Sequence, residues 1–197
     1  MGLDSAGQIV QAIPWAWYFA RAGGLMAFLL LYFSIFFGLA IRLPILKKII
    51  APGDSFSLHQ TLSVQAFIFV LLHGLFFLGD IYLNFGFKEI FVPFASTYEP
   101  QLVAMGSIGM YLMLLLILTS YFRRFISYRA WRAVHFLNIA LYGAGFFHAY
   151  YLGTDLKTGL LREIFIGMNM LLFGLMLVSI ILKLKSVFVS KSNANLS

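Results

Sequence analysis

WRAVHFLNIALYGAGFFHAYYLGTD, residues 131–155, is an apolar run of helix length with a histidine near each end, His135 and His148. An earlier run answers it: LHQTLSVQAFIFVLLHG, residues 58–74, carries His59 and His73. These are all four histidines of the protein. At about 1.5 Å rise per residue, the first pair lies about 21 Å apart along a helix and the second about 20 Å apart. Two such helices side by side would offer two histidine pairs at two matched depths.

The chain around these runs is built for lipid. Of its 197 residues, 61% are hydrophobic, 18% aromatic and only 11% charged, which excludes a soluble domain of ordinary composition. Several apolar runs exceed the roughly 18 residues that mark a transmembrane helix. The pattern predicts an all-α integral membrane protein, a bundle of five transmembrane helices over about 23–41, 57–83, 102–122, 130–152 and 162–182. The second starts after the APGDS break, where Asp54 or Ser55 can cap it. One membrane domain, 23–184, follows a short interfacial N-terminal segment, 1–22, anchored by Pro14, Trp15, Trp17 and Tyr18. A cytoplasmic tail covers 185–197. The segment does not open like a secretory signal, since its only charge before Arg21 is Asp4. The aromatic loop 84–100 is expected at the bilayer surface.

A net charge of +7 raises the question of nucleic acid, but the basic residues cluster at helix ends, as positive-inside topology requires. One side holds Arg42, Lys47, Lys48, Arg123, Arg124, Arg129, Arg132, Lys183, Lys185 and Lys191; the other holds Arg21, Lys88, Lys157 and Arg162. The richer side is cytoplasmic, so the N-terminus is outside and the C-terminus inside. The second and fourth helices then both run outward. His59 falls level with His135 near the inner face, and His73 level with His148 near the outer face. With no cysteine, disulfides, thiolate metal sites and the C-x-x-C-H attachment of c-type haem are excluded.

An ionisable group inside the bilayer is a functional hypothesis by default. A single histidine could equally be a neutral group bonded to a neighbouring helix. Four at matched depths on co-oriented helices argue for more. Zinc or copper needs ligands clustered within a few ångströms, whereas two separated pairs suit two haems, each taking one histidine from each of two facing helices. At about 100° per residue, fourteen residues return within roughly 40° of one face, but thirteen leave His135 and His148 roughly 140° apart. Either the two haems attach at different azimuths, or the helix distorts between the ligands, at Gly143 or Gly145. Glycines 74, 143 and 145 also leave room for a flat macrocycle. Arg21 lies level with the outer pair and Arg129 and Arg132 level with the inner pair, where cations would meet haem propionates. Trp131, Tyr142, Phe146 and Phe147 are candidates to pack on haem faces.

On these residues the chain resembles the ferric-reductase-like transmembrane domain family, the haem membrane module related to NADPH oxidases and ferric-chelate reductases. The histidine spacings, the WRAVH entry and the FARAGG entry carry the resemblance, which covers about residues 15–185 and supports Arg21. It implies two non-covalent b-type haems, His59 with His135 and His73 with His148, and electron transfer from a cytoplasmic donor to an outer acceptor. Larger relatives continue into a flavin and NADPH domain. No G-x-G-x-x-G follows a strand here, so the expectation is an oxidoreductase membrane subunit without its own flavin or NAD(P) site and with no catalytic residue assigned. A flavoprotein, ferredoxin or quinol would supply electrons; ferric iron, oxygen or a periplasmic protein would accept them. The basic inner surface suits an acidic donor. The setting is a bacterial inner membrane. Two alternatives stand beside this reading: the haem subunit of a periplasmic methionine sulfoxide reductase system, and a non-redox transporter or scaffold with structural histidines.

Overall fold

In lipid the backbone has no water to bond to, so long apolar segments close their hydrogen bonds internally as helices. The computed structural model describes residues 14–194, with 2–3 and 9–10, and side chains over 14–185. Among the described residues four helices are long and apolar enough to cross a membrane: Trp15–Ala40, Pro52–Gly79, Pro100–Tyr121 and Leu160–Lys185. With this composition they make the chain an integral membrane protein.

Helix α1 (Trp15–Ala40) begins at the aromatic anchor rather than at Gly23, its first turn closed by Tyr18 N–H donating to Pro14 O at 3.2 Å. The interfacial segment expected over 1–22 is therefore helical from Trp15. Before it, a two-residue pairing sets Gly2 opposite Val10 and Leu3 opposite Ile9, and residues 1, 4–8 and 11–13 lie outside the described ones. A short α2 (Pro44–Lys47) leads to α3 (Pro52–Phe76), which continues as a 3-10 turn, Phe77–Gly79. Proline at a first helical position loses no needed donor and has its φ preset, so α3 starts at Pro52, ahead of the expected 57. Asp54 and Ser55 lie inside that first turn, and the Ser55 hydroxyl has no hydrogen-bond partner among the described residues.

The loop beyond α3 folds onto α5 (Pro100–Tyr121). Its short helix α4 (Phe87–Phe91) is held there by Ser107 Oγ donating to Ile90 O at 2.7 Å and Tyr111 Oη donating to Phe91 O at 2.6 Å. Gly74 makes room for this packing, because a Cβ there would meet Ile90 Cγ2 at 3.1 Å. Its role is helix packing.

The helix expected as one piece over 130–152 is two: α6 (Tyr128–His135) and α7 (Asn138–Leu152). The interruption falls at Phe136–Leu137, not at Gly143 or Gly145. Leu137 N–H bonds Val134 O at 2.9 Å and Ile139 N–H bonds Phe136 O at 3.2 Å, the tighter i→i−3 pattern. Such turns wind about 120° per residue instead of 100°. Over three residues the gain is about 60°, which closes part of the 140° mismatch between His135 and His148. At fifteen residues, α7 alone is shorter than the roughly 20 a crossing needs. The last helix, α8 (Leu160–Ala194), follows Gly159, which takes a φ of +85° open mainly to glycine; residues 195–197 lie outside the described ones.

The chain divides into two compact units, 1–27 with 67–148 and 28–66 with 149–197. In the first, Phe19 stacks on Phe76 with ring centres 5.2 Å apart, and Gly109 on α5 meets Leu141. In the second, Phe28 packs on Phe165 at 4.9 Å, and Tyr32, Leu43, Ala66 and Leu172 are buried. We expect Ser107→Ala to lower stability by about 1 kcal/mol, through the lost bond to Ile90 O, and to speed proteolysis of the 80–99 loop. A thermal unfolding curve in detergent and a limited digest measure the two effects.

Candidate functional site

The outer histidines come together within the first unit. His73, in the last turn of α3, and His148, on α7, have ring centres 6.1 Å apart and planes at 89°. A metal–imidazole bond is about 2 Å and the ring centre lies about 1 Å beyond the nitrogen, so two imidazoles on opposite sides of one metal ion sit about 6 Å apart. The observed separation fits.

Their protonation is fixed by what they bond. His73 Nδ1 lies 2.7 Å from Ala20 O on α1, and His148 Nδ1 lies 2.8 Å from Leu102 O on α5. A carbonyl only accepts, so each Nδ1 carries a proton, and in the neutral imidazole this leaves the lone pair on Nε2. Bonding the far ring nitrogen to a backbone carbonyl is the usual way a metal-ligating histidine is oriented. The rings lie against two glycines. A Cβ on Gly24 would stand 2.8 Å from His73 Nδ1, and one on Gly106 would stand 2.7 Å from His148 Cε1. Phe77 closes the side of His73, its ring edge-on at 5.2 Å.

His59 sits on α3 in the second unit and repeats the arrangement. Its Nδ1–H donates to Ser34 O on α1 at 2.8 Å, and a Cβ on Gly38 would come within 3.2 Å of that nitrogen. Two hydroxyls complete the cluster. Ser63 Oγ donates to His59 O at 2.6 Å, leaving Ser34 Oγ to donate to Ser63 Oγ at 2.7 Å. Every hydrogen in this run of Ser34, Ser63 and His59 has an acceptor, as a polar group in lipid requires.

His135 ends α6 and belongs to the first unit. Trp131 stacks on its ring at 4.9 Å and 25°, and Arg123 lies over the other partner of the stack, 4.6 Å from the Trp131 ring. Arg132 donates to Tyr128 Oη at 2.8 Å. Arg21 follows Ala20, the acceptor for His73, and its guanidinium lies 4.0 Å over the Trp17 ring. Tyr142 is fully buried, and nothing stands within 4 Å of where a Gly143 Cβ would be. Among the described residues no three of histidine, cysteine, aspartate and glutamate gather as a metal site.

A family model described as the ferric reductase-like transmembrane component matches residues 23–146, more than half of the chain. The chain belongs to this family. In this ferric reductase-like chain the match takes in His59, His73 and His135 and stops two residues before His148. No curated protein sequence matches it. Membership makes the protein a membrane redox module, and the tautomers and the 6.1 Å spacing come from its own coordinates.

Gly24, Gly38, Gly106, Ser34 and Ser63 escaped the sequence reading. Glycine in an apolar helix is visible, but the histidine it faces is not. Ser34→Ala and Ser63→Ala should each lower stability by about 1 kcal/mol, and the double variant should lose less than the sum, because the hydroxyls share one chain of bonds. A double-mutant cycle on thermal stability in detergent tests this; strict additivity would count against a shared network.

Proposed function

We propose that this protein is a transmembrane electron-transfer subunit holding two non-covalent b-type haems, an outer one between His73 and His148 and an inner one between His59 and His135. The outer pair carries the reading: two neutral imidazoles, Nδ1–H seated on backbone carbonyls, with centres 6.1 Å apart. Membership of a family whose domains generally bind haem supports it. Pairing His59 with His135 rests on the helical spacing of the sequence, and on His59 having the same Nδ1–carbonyl bond as the outer histidines. In this reading α6 and α7 together make the fifth crossing, with the N-terminus outside and the C-terminus in the cytoplasm of a bacterial inner membrane.

Each haem, when bound, would supply a one-electron redox centre. The residues then do four things. The histidines would hold the iron through Nε2; the carbonyls keep the rings from turning; the apolar helices exclude water; and Arg21 and Arg132 would supply positive charge for propionates on the outer and inner sides. With both histidines of a pair committed to the iron, a haem held there would pass electrons to an acceptor at the outer face rather than bind it. The donor is a flavoprotein, ferredoxin or quinol, and the acceptor is ferric iron, oxygen or a periplasmic protein.

Reduced-minus-oxidised spectra of purified protein should show b-type bands at two haems per chain. His73→Leu should lose one and keep the other; a featureless wild-type spectrum would remove the proposal. Arg21→Ala should shift the potential of the haem that His73→Leu abolishes, read by redox titration, and leave the other unchanged.

A further inference from the structure

Three of the four histidines share a construction that ligation alone does not require. Each donates Nδ1–H to the carbonyl of a residue on a neighbouring helix, and the residue four positions later on that helix is glycine. The pairs are Ala20 and Gly24 for His73, Leu102 and Gly106 for His148, and Ser34 and Gly38 for His59.

Helix geometry explains the interval. A helical carbonyl points toward the C-terminus and bonds the N–H four residues on, leaving its second lone pair reachable only from the helix surface. That surface is covered by the side chain one turn later, because Cβ atoms lean back toward the N-terminus. Glycine at that position uncovers the carbonyl. The distances agree: an added Cβ would overlap the ring at Gly24 and Gly106, at 2.8 and 2.7 Å, and press on it at Gly38, at 3.2 Å. Neighbouring glycines do not share the property. A Cβ on Gly23 would stand 3.6 Å from His73 Cα, and one on Gly109 would stand 3.7 Å from Leu141 Cδ1, both ordinary contacts.

We propose that Gly24, Gly38 and Gly106 are positioning residues, each exposing a backbone acceptor that fixes the tautomer and orientation of one histidine. The acceptor is main chain and cannot be deleted by substitution, so the glycine is the handle by which the bond is varied. The redox readout rests on the haem ligation proposed above; the tautomer readout does not.

The test compares adjacent glycines. Gly24→Ala and Gly106→Ala should shift the midpoint potential and the low-spin EPR g-max of the outer haem, while Gly23→Ala and Gly109→Ala should leave both at wild-type values. Gly38→Ala should act on the inner haem, by a smaller shift. Nitrogen-15 spectra of histidine-labelled reduced protein should show the Nδ1–H form at three histidines in wild type, with one lost in Gly24→Ala or Gly106→Ala. Equal effects within each glycine pair, or unchanged tautomers, would overturn the proposal. Should wild type bind no haem, the ligation reading falls, and the tautomer spectra of the same variants still decide this one. A further measurement needs no alanine at a notch. In His148→Gly, added imidazole should restore the low-spin spectrum at about tenfold lower concentration than 1-methylimidazole, which has no N–H for Leu102 O. Equal potency would count against the bond.

Discussion

A buried imidazole N–H needs an acceptor, and inside an apolar bundle the nearest supply is the second lone pair of a helical carbonyl. Leaving such a donor unpaired costs about 1–3 kcal/mol. The structure meets the requirement at Ala20, Leu102 and Ser34, and in doing so ties α3 to α1 and α7 to α5. These bonds lock helix to helix and lock each ring in rotation. The same contact sets architecture and chemistry together, since the proton held at Nδ1 of a neutral imidazole leaves the lone pair on Nε2.

Composition and run length were enough to read four of the five expected spans and their membrane setting, because lipid forces apolar segments into helix whatever their details; the remaining one, over 130–152, is broken in two. Of the two pairings that helical rise led one to expect, the structure brings His73 and His148 into ring contact. Azimuth was not legible. The 3-10 turn at Phe136–Leu137 leaves no glycine or proline mark, and the geometric conflict it relieves pointed instead to Gly143 and Gly145. Helix starts were misjudged for a related reason. Apolar content fades before Trp15 and Pro52, while aromatic and proline positions still favour the first turn.

The site divides along the same line. The histidines stand out in sequence because an ionisable residue in an apolar run is rare. The glycines that seat them do not, since a glycine four residues past an acceptor matters only when a ring from another helix arrives there. Gly74 attracted attention for its place beside His73, yet it serves Ile90 of α4. Proximity in sequence to a candidate ligand was a poor guide; position relative to a carbonyl would have been a better one.

The turn between α6 and α7 has a mechanical consequence. A continuous helix behaves as a stiff rod, so a push at one end arrives at the other. Here the rod is cut directly after His135, so α6, with its arginines and the Trp131 stack, is a segment separate from the helix that carries His148, and mid-helix 3-10 stretches often mark hinges.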